Sequence, residues 1–98
     1  MALMALAVRR YRVEGEVQGV GFRWYVREQA RALELAGWVR NEPDGAVVVV
    51  ASGEAAALDT LERQLHIGPG HTSVTNVVRR DLTSFDAVGL PSTFMIER

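Results

Sequence analysis

Two stretches of this chain repeat apolar residues at helical spacing, and each is bracketed by β-forming segments. That order restricts the fold more than any other feature. Phe22, Val26, Ala30 and Leu33 make one stripe, and Leu58, Leu61 and Leu65 make the other. Such spacing lays one face of a helix on a core. The first stripe predicts a helix over residues 22–35, stopped by Gly37 as a C-terminal glycine. The second predicts a helix that opens at Ser52-Gly53 and stops at HIGPG, residues 66–70. Before the first helix, residues 7–17 mix Val8, Tyr11, Val13 and Val17 with charge and lack helical periodicity. They read as a strand with a kink where the alternation slips between 8 and 11. Between the helices, residues 38–42 read as a short strand and EPDG, 42–45, as a turn. The valine run 47–50 reads as a strand buried on part of both faces. Residues 74–82 supply a fourth strand and 83–91 a loop. Phe94 and Ile96, alternating with Thr93, Met95 and Glu97, supply a short last strand at an edge.

The resulting order is β-α-β-β-α-β plus a short C-terminal strand. It predicts an α+β fold, the ferredoxin-like α/β sandwich, with an antiparallel sheet under two helices and one face toward solvent. The 98 residues predict a single domain over 1–98, with 1–6 a ragged N-terminal extension and Met4 a second candidate start. Zero cysteine excludes a disulfide framework, a thiolate metal site and a thiol nucleophile. All 11 basic residues are arginine, which excludes a Walker A loop and a Schiff-base lysine. A net charge of −1 argues against a nucleic-acid footprint. The apolar start, residues 1–8, falls far short of the ~18–20 residues of a membrane span. Its arginines, Arg9, Arg10 and Arg12, follow the apolar run, the reverse of a signal peptide. Many functions use this fold, so function resides in a site and not in the architecture.

The informative segment is VQGVGFR, residues 17–23. No Ser, Thr, Asp or Asn stands where it would cap the first helix, so the first-turn N–H groups lack a local acceptor. Gly19 and Gly21 let the preceding backbone curve into an anion nest, to which the helix adds the positive end of its dipole. Arg23 sits in the first turn, the unfavourable end for a cation. An anion between its guanidinium fork and the loop amides would account for it. The plain alternative is a tight strand-to-helix turn with a solvated Arg23. Arg27 and Arg31 continue that helix face as a solvated stripe, with Glu28 and Glu34 near enough to pair. QGVGFRWY, 18–25, superficially resembles an RNA-recognition signature, but that signature belongs inside a central strand. His66 and His71 read as loop histidines, and Glu14 and Glu16 as one solvated strand face. Asn41 before Pro-x-Gly is, by itself, ordinary turn chemistry.

Two long motifs resemble the acylphosphatase family. One is VEGEVQGVGFR, residues 13–23. The other is GWVRN, 37–41, followed by GAV at 45–47 and Gly53. Gly68-Pro69 and the closing FMI, 94–96, are similar too, so the resemblance spans roughly residues 8–98. The segment 66–76, with Thr72-Ser73, is less typical, and the first six residues have no counterpart. The resemblance implies metal-free hydrolysis of acyl phosphates, the mixed anhydrides of carboxylic and phosphoric acids. By similarity, Arg23 matches the arginine that binds the phosphoryl group, and Asn41 the asparagine that holds the attacking water. Gln18, Gly19, Val20, Gly21 and Phe22 complete the phosphate-binding loop and helix start. Asn41 is expected on a strand adjacent to the first. The resemblance implies no cofactor and no metal. The expected partners are a small-molecule acyl phosphate and inorganic phosphate, with no nucleic acid and no membrane. A monomer in the cytoplasm is the expectation. The alternative is a non-catalytic phosphate-ligand binding module on the same fold.

Overall fold

The computed structural model describes residues 5–19 and 21–98. Its sheet is built outward from β1, Leu6–Glu16. β1 pairs antiparallel with β3, Val47–Glu54, on one side and with β4, Ser73–Leu82, on the other. β2, Ala36–Asn41, lies antiparallel on β3, and β5, Met95–Ile96, closes the far edge, giving the order β4-β1-β3-β2-β5. β5 runs parallel to β2, so the sheet is mixed where the sequence predicts an antiparallel one. The reason is directional. β4 runs antiparallel to β1 and therefore ends at the edge of the sheet where β2 begins. A chain crossing beneath the sheet from there enters the far edge alongside the start of β2.

Helices α1, Phe22–Ala32, and α2, Ala55–Ile67, cover one face. Between them and the sheet lies a core that includes Tyr11, Val13, Phe22, Val26, Val39, Leu58, Leu61, Leu65 and Phe94, all essentially inaccessible. Tyr11 is the one core residue here with a polar tip, and its hydroxyl donates to the Leu58 carbonyl at 3.1 Å. Burial pushes that phenol above its ordinary pKa. The valine run is buried on both faces, as its composition predicts. Val47, Val49 and Ala51 enter the core, while Val48 and Val50 are buried on the helix-free face. There Val48 stands in register with Arg12 and Arg40, and Val50 with Arg10 and Trp38. Long arginine stems shield apolar surface while keeping their charge in water.

Several boundaries differ from the sequence reading. α1 ends at Ala32 instead of residue 35, and Gly37 does not stop it. Glu34 takes the left-handed conformation (φ 58°), with Glu34 N–H on Arg31 O and Leu35 N–H on Ala30 O. That is the hydrogen-bond pattern of a Schellman motif with glutamate in the glycine position. Gly37 lies inside β2, where a Cβ would sit 1.9 Å from the Val50 carbonyl oxygen. Ser52 and Gly53 continue β3 instead of opening α2, since Glu54 still pairs with Leu6. The first strand runs unbroken through residues 8 to 11, where Val8 and Tyr11 are buried on opposite faces. Its irregularity lies at Glu14/Gly15. Within the predicted loop 83–91, Ser84–Ala87 form a 3-10 turn closed by a Thr83–Asp86 capping box.

Candidate active site

β1 delivers the chain to the site, and α1 receives it. Val17 is buried as the last anchor of the strand side, and Phe22 as the first of the helix. Gly19 and Gly21 both take positive φ, 75° and 77°, and a Cβ at either would meet nothing within 4 Å among the described residues. Glycine is needed there for conformation and not for space. Gly21 is the N-cap of α1 and makes no side-chain cap hydrogen bond, and the first turn holds no acidic residue. The uncapped helix start predicted from sequence is therefore present. Its N–H groups and the positive end of the α1 dipole face outward together.

Arg23 follows directly. It is half-buried and forms no salt bridge among the described residues. Its helical neighbours are committed elsewhere. Arg27 pairs with Glu28 at 3.2 Å. Arg31, predicted near Glu34, instead donates to the Phe94 carbonyl at 2.9 Å and ties α1 to the segment leading into β5. A cavity of about 390 Å³ opens at this place, lined by Val17, Gly19, Gly21, Phe22, Arg23, Trp24, Ile96 and Arg98. It brings together four of the residues singled out from sequence: Gly19, Gly21, Phe22 and Arg23. The Phe22 ring is in the core, so only its backbone is available to a ligand. Val20 lies outside the described residues.

Gln18 and Asn41 are not on that lining. The Gln18 side chain turns the other way and donates to the carbonyls of Glu42 and Ala46, at 2.8 and 2.9 Å. It thereby fastens the loop to the β2–β3 hairpin. The hairpin is itself braced, since Asp44 accepts from the Ala46 N–H at 3.1 Å and from Arg12 at 2.6 Å. Arg12, and then the Ala46 amide, hold the Asp44 carboxyl below the ordinary carboxylate range. Asn41 ends β2 opposite Val47, which in turn stands opposite Val13 of β1. β3 thus separates its strand from β1, and the expected adjacency is corrected by one strand. Gln18, and not strand pairing, links the loop to the Asn41 end of the hairpin. The Asn41 Oδ1 atom is buried without a hydrogen-bond partner among the described residues, an uncommon state for an acceptor.

The other candidates do not form sites. His66 and His71 are exposed, Glu14 is engaged by Arg12 and Asn76, and no group of three His, Asp or Glu residues able to hold a metal occurs among the described residues. Sequence reasoning missed Trp24, Ile96 and Arg98. Trp24 carried a usable signal, because it falls outside the apolar stripe of its helix. Arg98 carried none.

Comparison with known proteins identifies the family of the chain. The acylphosphatase family model matches residues 9–94. An acylphosphatase of Nitratidesulfovibrio vulgaris is 50% identical over 88 residues, covering 90% of this chain and 87% of that protein. The crystal structure of acylphosphatase from Bacillus subtilis superposes with a TM-score of 0.87 at 35% identity, covering 95% of this chain and 99% of that one. An acylphosphatase structure from Coxiella burnetii gives 0.86 at 34% identity, covering 99% of this chain and 100% of that one. With most of its length matched by the family model and by these relatives, the chain belongs to the acylphosphatase family.

Proposed function

We propose that residues 18–23 cradle the phosphoryl group of an acyl phosphate and that Asn41 holds the water that attacks it. Family membership supports acyl phosphate hydrolysis in general. The observation that carries the phosphoryl-binding reading is the convergence on one cavity of the uncapped α1 N-terminus and the Arg23 guanidinium, which forms no salt bridge among the described residues. Backbone N–H groups of Gly19, Gly21 and Phe22 donate to phosphoryl oxygens, and the planar fork of Arg23 takes two of them. Asn41 Oδ1, an acceptor without a donor among the described residues, accepts from a water molecule.

The chemistry asks little else of the protein. The water oxygen–phosphorus bond forms as the phosphorus–oxygen bond to the acyl group breaks. The carboxylate departs with the bonding electrons, and a carboxylate is a good enough leaving group to need no general acid. The water's proton passes to a phosphate oxygen, so no side-chain base enters. Charge in the loose transition state collects on the equatorial oxygens, which the amides and Arg23 already face. Amides and a guanidinium supply the positive potential.

The test is hydrolysis of benzoyl phosphate by the purified protein in excess EDTA, with Asn41→Ala and Arg23→Lys in parallel. Wild type should turn over with chelator present. Asn41→Ala should lower kcat by about a hundredfold, as loss of a positioned reactant does, while phosphate affinity changes little. Arg23→Lys should recover little, because a point charge does not reproduce the fork. Phosphate binding without wild-type turnover would leave a non-catalytic phosphate-binding module. An equal fall in phosphate affinity and kcat for Asn41→Ala would remove the water-holding role.

A further inference from the structure

We infer that Trp24 selects the acyl group: its indole forms a wall beside the phosphoryl cradle that favours flat, apolar acyl phosphates over acetyl phosphate. The inference rests on the proposed function and adds the substrate class. Trp24 is out of phase with the core stripe of α1, since Phe22, Val26 and Ala30 are the buried residues of that helix. It contributes little to the fold by burial, being 58% exposed. An exposed tryptophan one residue from the cavity's arginine has ring surface to offer a ligand.

The lining of the cavity narrows the choice. It is cationic at Arg23, at Arg98 and at the loop amides, and apolar elsewhere. Of its apolar side chains, Val17 and Phe22 are 1% exposed and already spent on the core. That leaves Trp24, in the first turn of α1, and Ile96, in the edge strand β5, as the apolar side chains a ligand meets. A phosphoryl group on the loop amides and Arg23 directs its acyl substituent into the remainder of the cavity. In-line displacement also requires the leaving acyl group and the incoming water on opposite sides of phosphorus. Trp24 lines the cavity, whereas Asn41 belongs to the hairpin side that Gln18 holds. The division of the two sides suits an acyl group lying against the indole.

The experiment compares wild type, Trp24→Ala and Trp24→Phe by kcat/KM on benzoyl and acetyl phosphate. In parallel, calorimetry measures the binding of benzylphosphonate and methylphosphonate, which are not hydrolysed. In Trp24→Ala, kcat/KM for benzoyl phosphate should fall about tenfold further than for acetyl phosphate, mostly through KM, as expected for loss of one aromatic contact. Trp24→Phe should retain most of the preference. Wild type should bind benzylphosphonate about tenfold more tightly than methylphosphonate, and Trp24→Ala should level the two. Equal losses on both substrates, or an unchanged ratio, would overturn the inference and leave the hydrolytic reading standing. Should wild type turn over neither substrate, the hydrolytic reading fails, and the phosphonate pair still decides whether Trp24 grips an apolar substituent.

Discussion

The side-chain amide of Gln18 lies 2.8 Å from the main-chain oxygen of Glu42, and so the loop before α1 is bonded to the turn after β2. Its second bond, to Ala46 O at 2.9 Å, spans the same turn. One side chain therefore holds the loop before α1, the proposed phosphoryl cradle, in fixed relation to the strand end that carries Asn41. Gln18→Ala should lower kcat/KM for benzoyl phosphate by roughly tenfold to a hundredfold, the range expected when positioned groups shift by about an ångström. Gln18→Glu, nearly the same shape but unable to donate, should behave like the alanine variant. Activity within twofold of wild type in both variants would show that Gln18 does not position the site.

Glu34 supplies a prediction about stability. It occupies the left-handed position after α1 (φ 58°), which glycine fills in most such motifs. A side chain there costs about 1–2 kcal/mol, partly offset because glycine gains entropy in the unfolded chain. Glu34→Gly should therefore stabilise the protein by roughly 0.5–1 kcal/mol, and Glu34→Ala should not. Thermal melts of the two variants against wild type test this. A lower melting temperature for Glu34→Gly would mean that the glutamate side chain contributes more than its backbone strain costs.

These two residues also show what the sequence makes legible. The absence of a capping side chain before Phe22, together with the two glycines, makes the open helix start legible. The stripes and the valine run foretold both helices and a strand buried on both faces. The end of α1 is not legible, because Gly37 looks like a stop signal and nothing local marks Glu34 as left-handed. The parallel β5 was missed because strand direction follows from where β4 ends, a property of the whole topology. Asn41 was expected near the loop through strand adjacency. The connection instead runs through Gln18, whose reach to the hairpin 24 residues later has no signature in spacing. Trp24 is legible as an aromatic off the stripe, but only the fold places it beside the cavity.

At the far end of β1, Arg9 gives a prediction about pH. Its side chain is 7% exposed and meets the Asp59 carboxylate of α2 at 2.6 Å, pinning the helix to the sheet. The hydrogen bond from Arg9 holds the Asp59 carboxyl below the ordinary carboxylate range. A depressed native pKa means that the folded state releases this proton more readily than the unfolded chain does. The pair therefore adds stability above the unfolded carboxyl pKa and loses it as pH falls through the native value, from about pH 4 downward. Asp59→Asn keeps an acceptor for Arg9 but removes the charge. Its melting temperature should lie below wild type at pH 7, and the gap should narrow steadily below about pH 4. Arg9→Met should also be less stable at pH 7, with a shallower loss into acid. A gap between wild type and Asp59→Asn that stays constant from pH 7 to pH 3 would mean that packing around α2, and not the charge of Asp59, sets the difference.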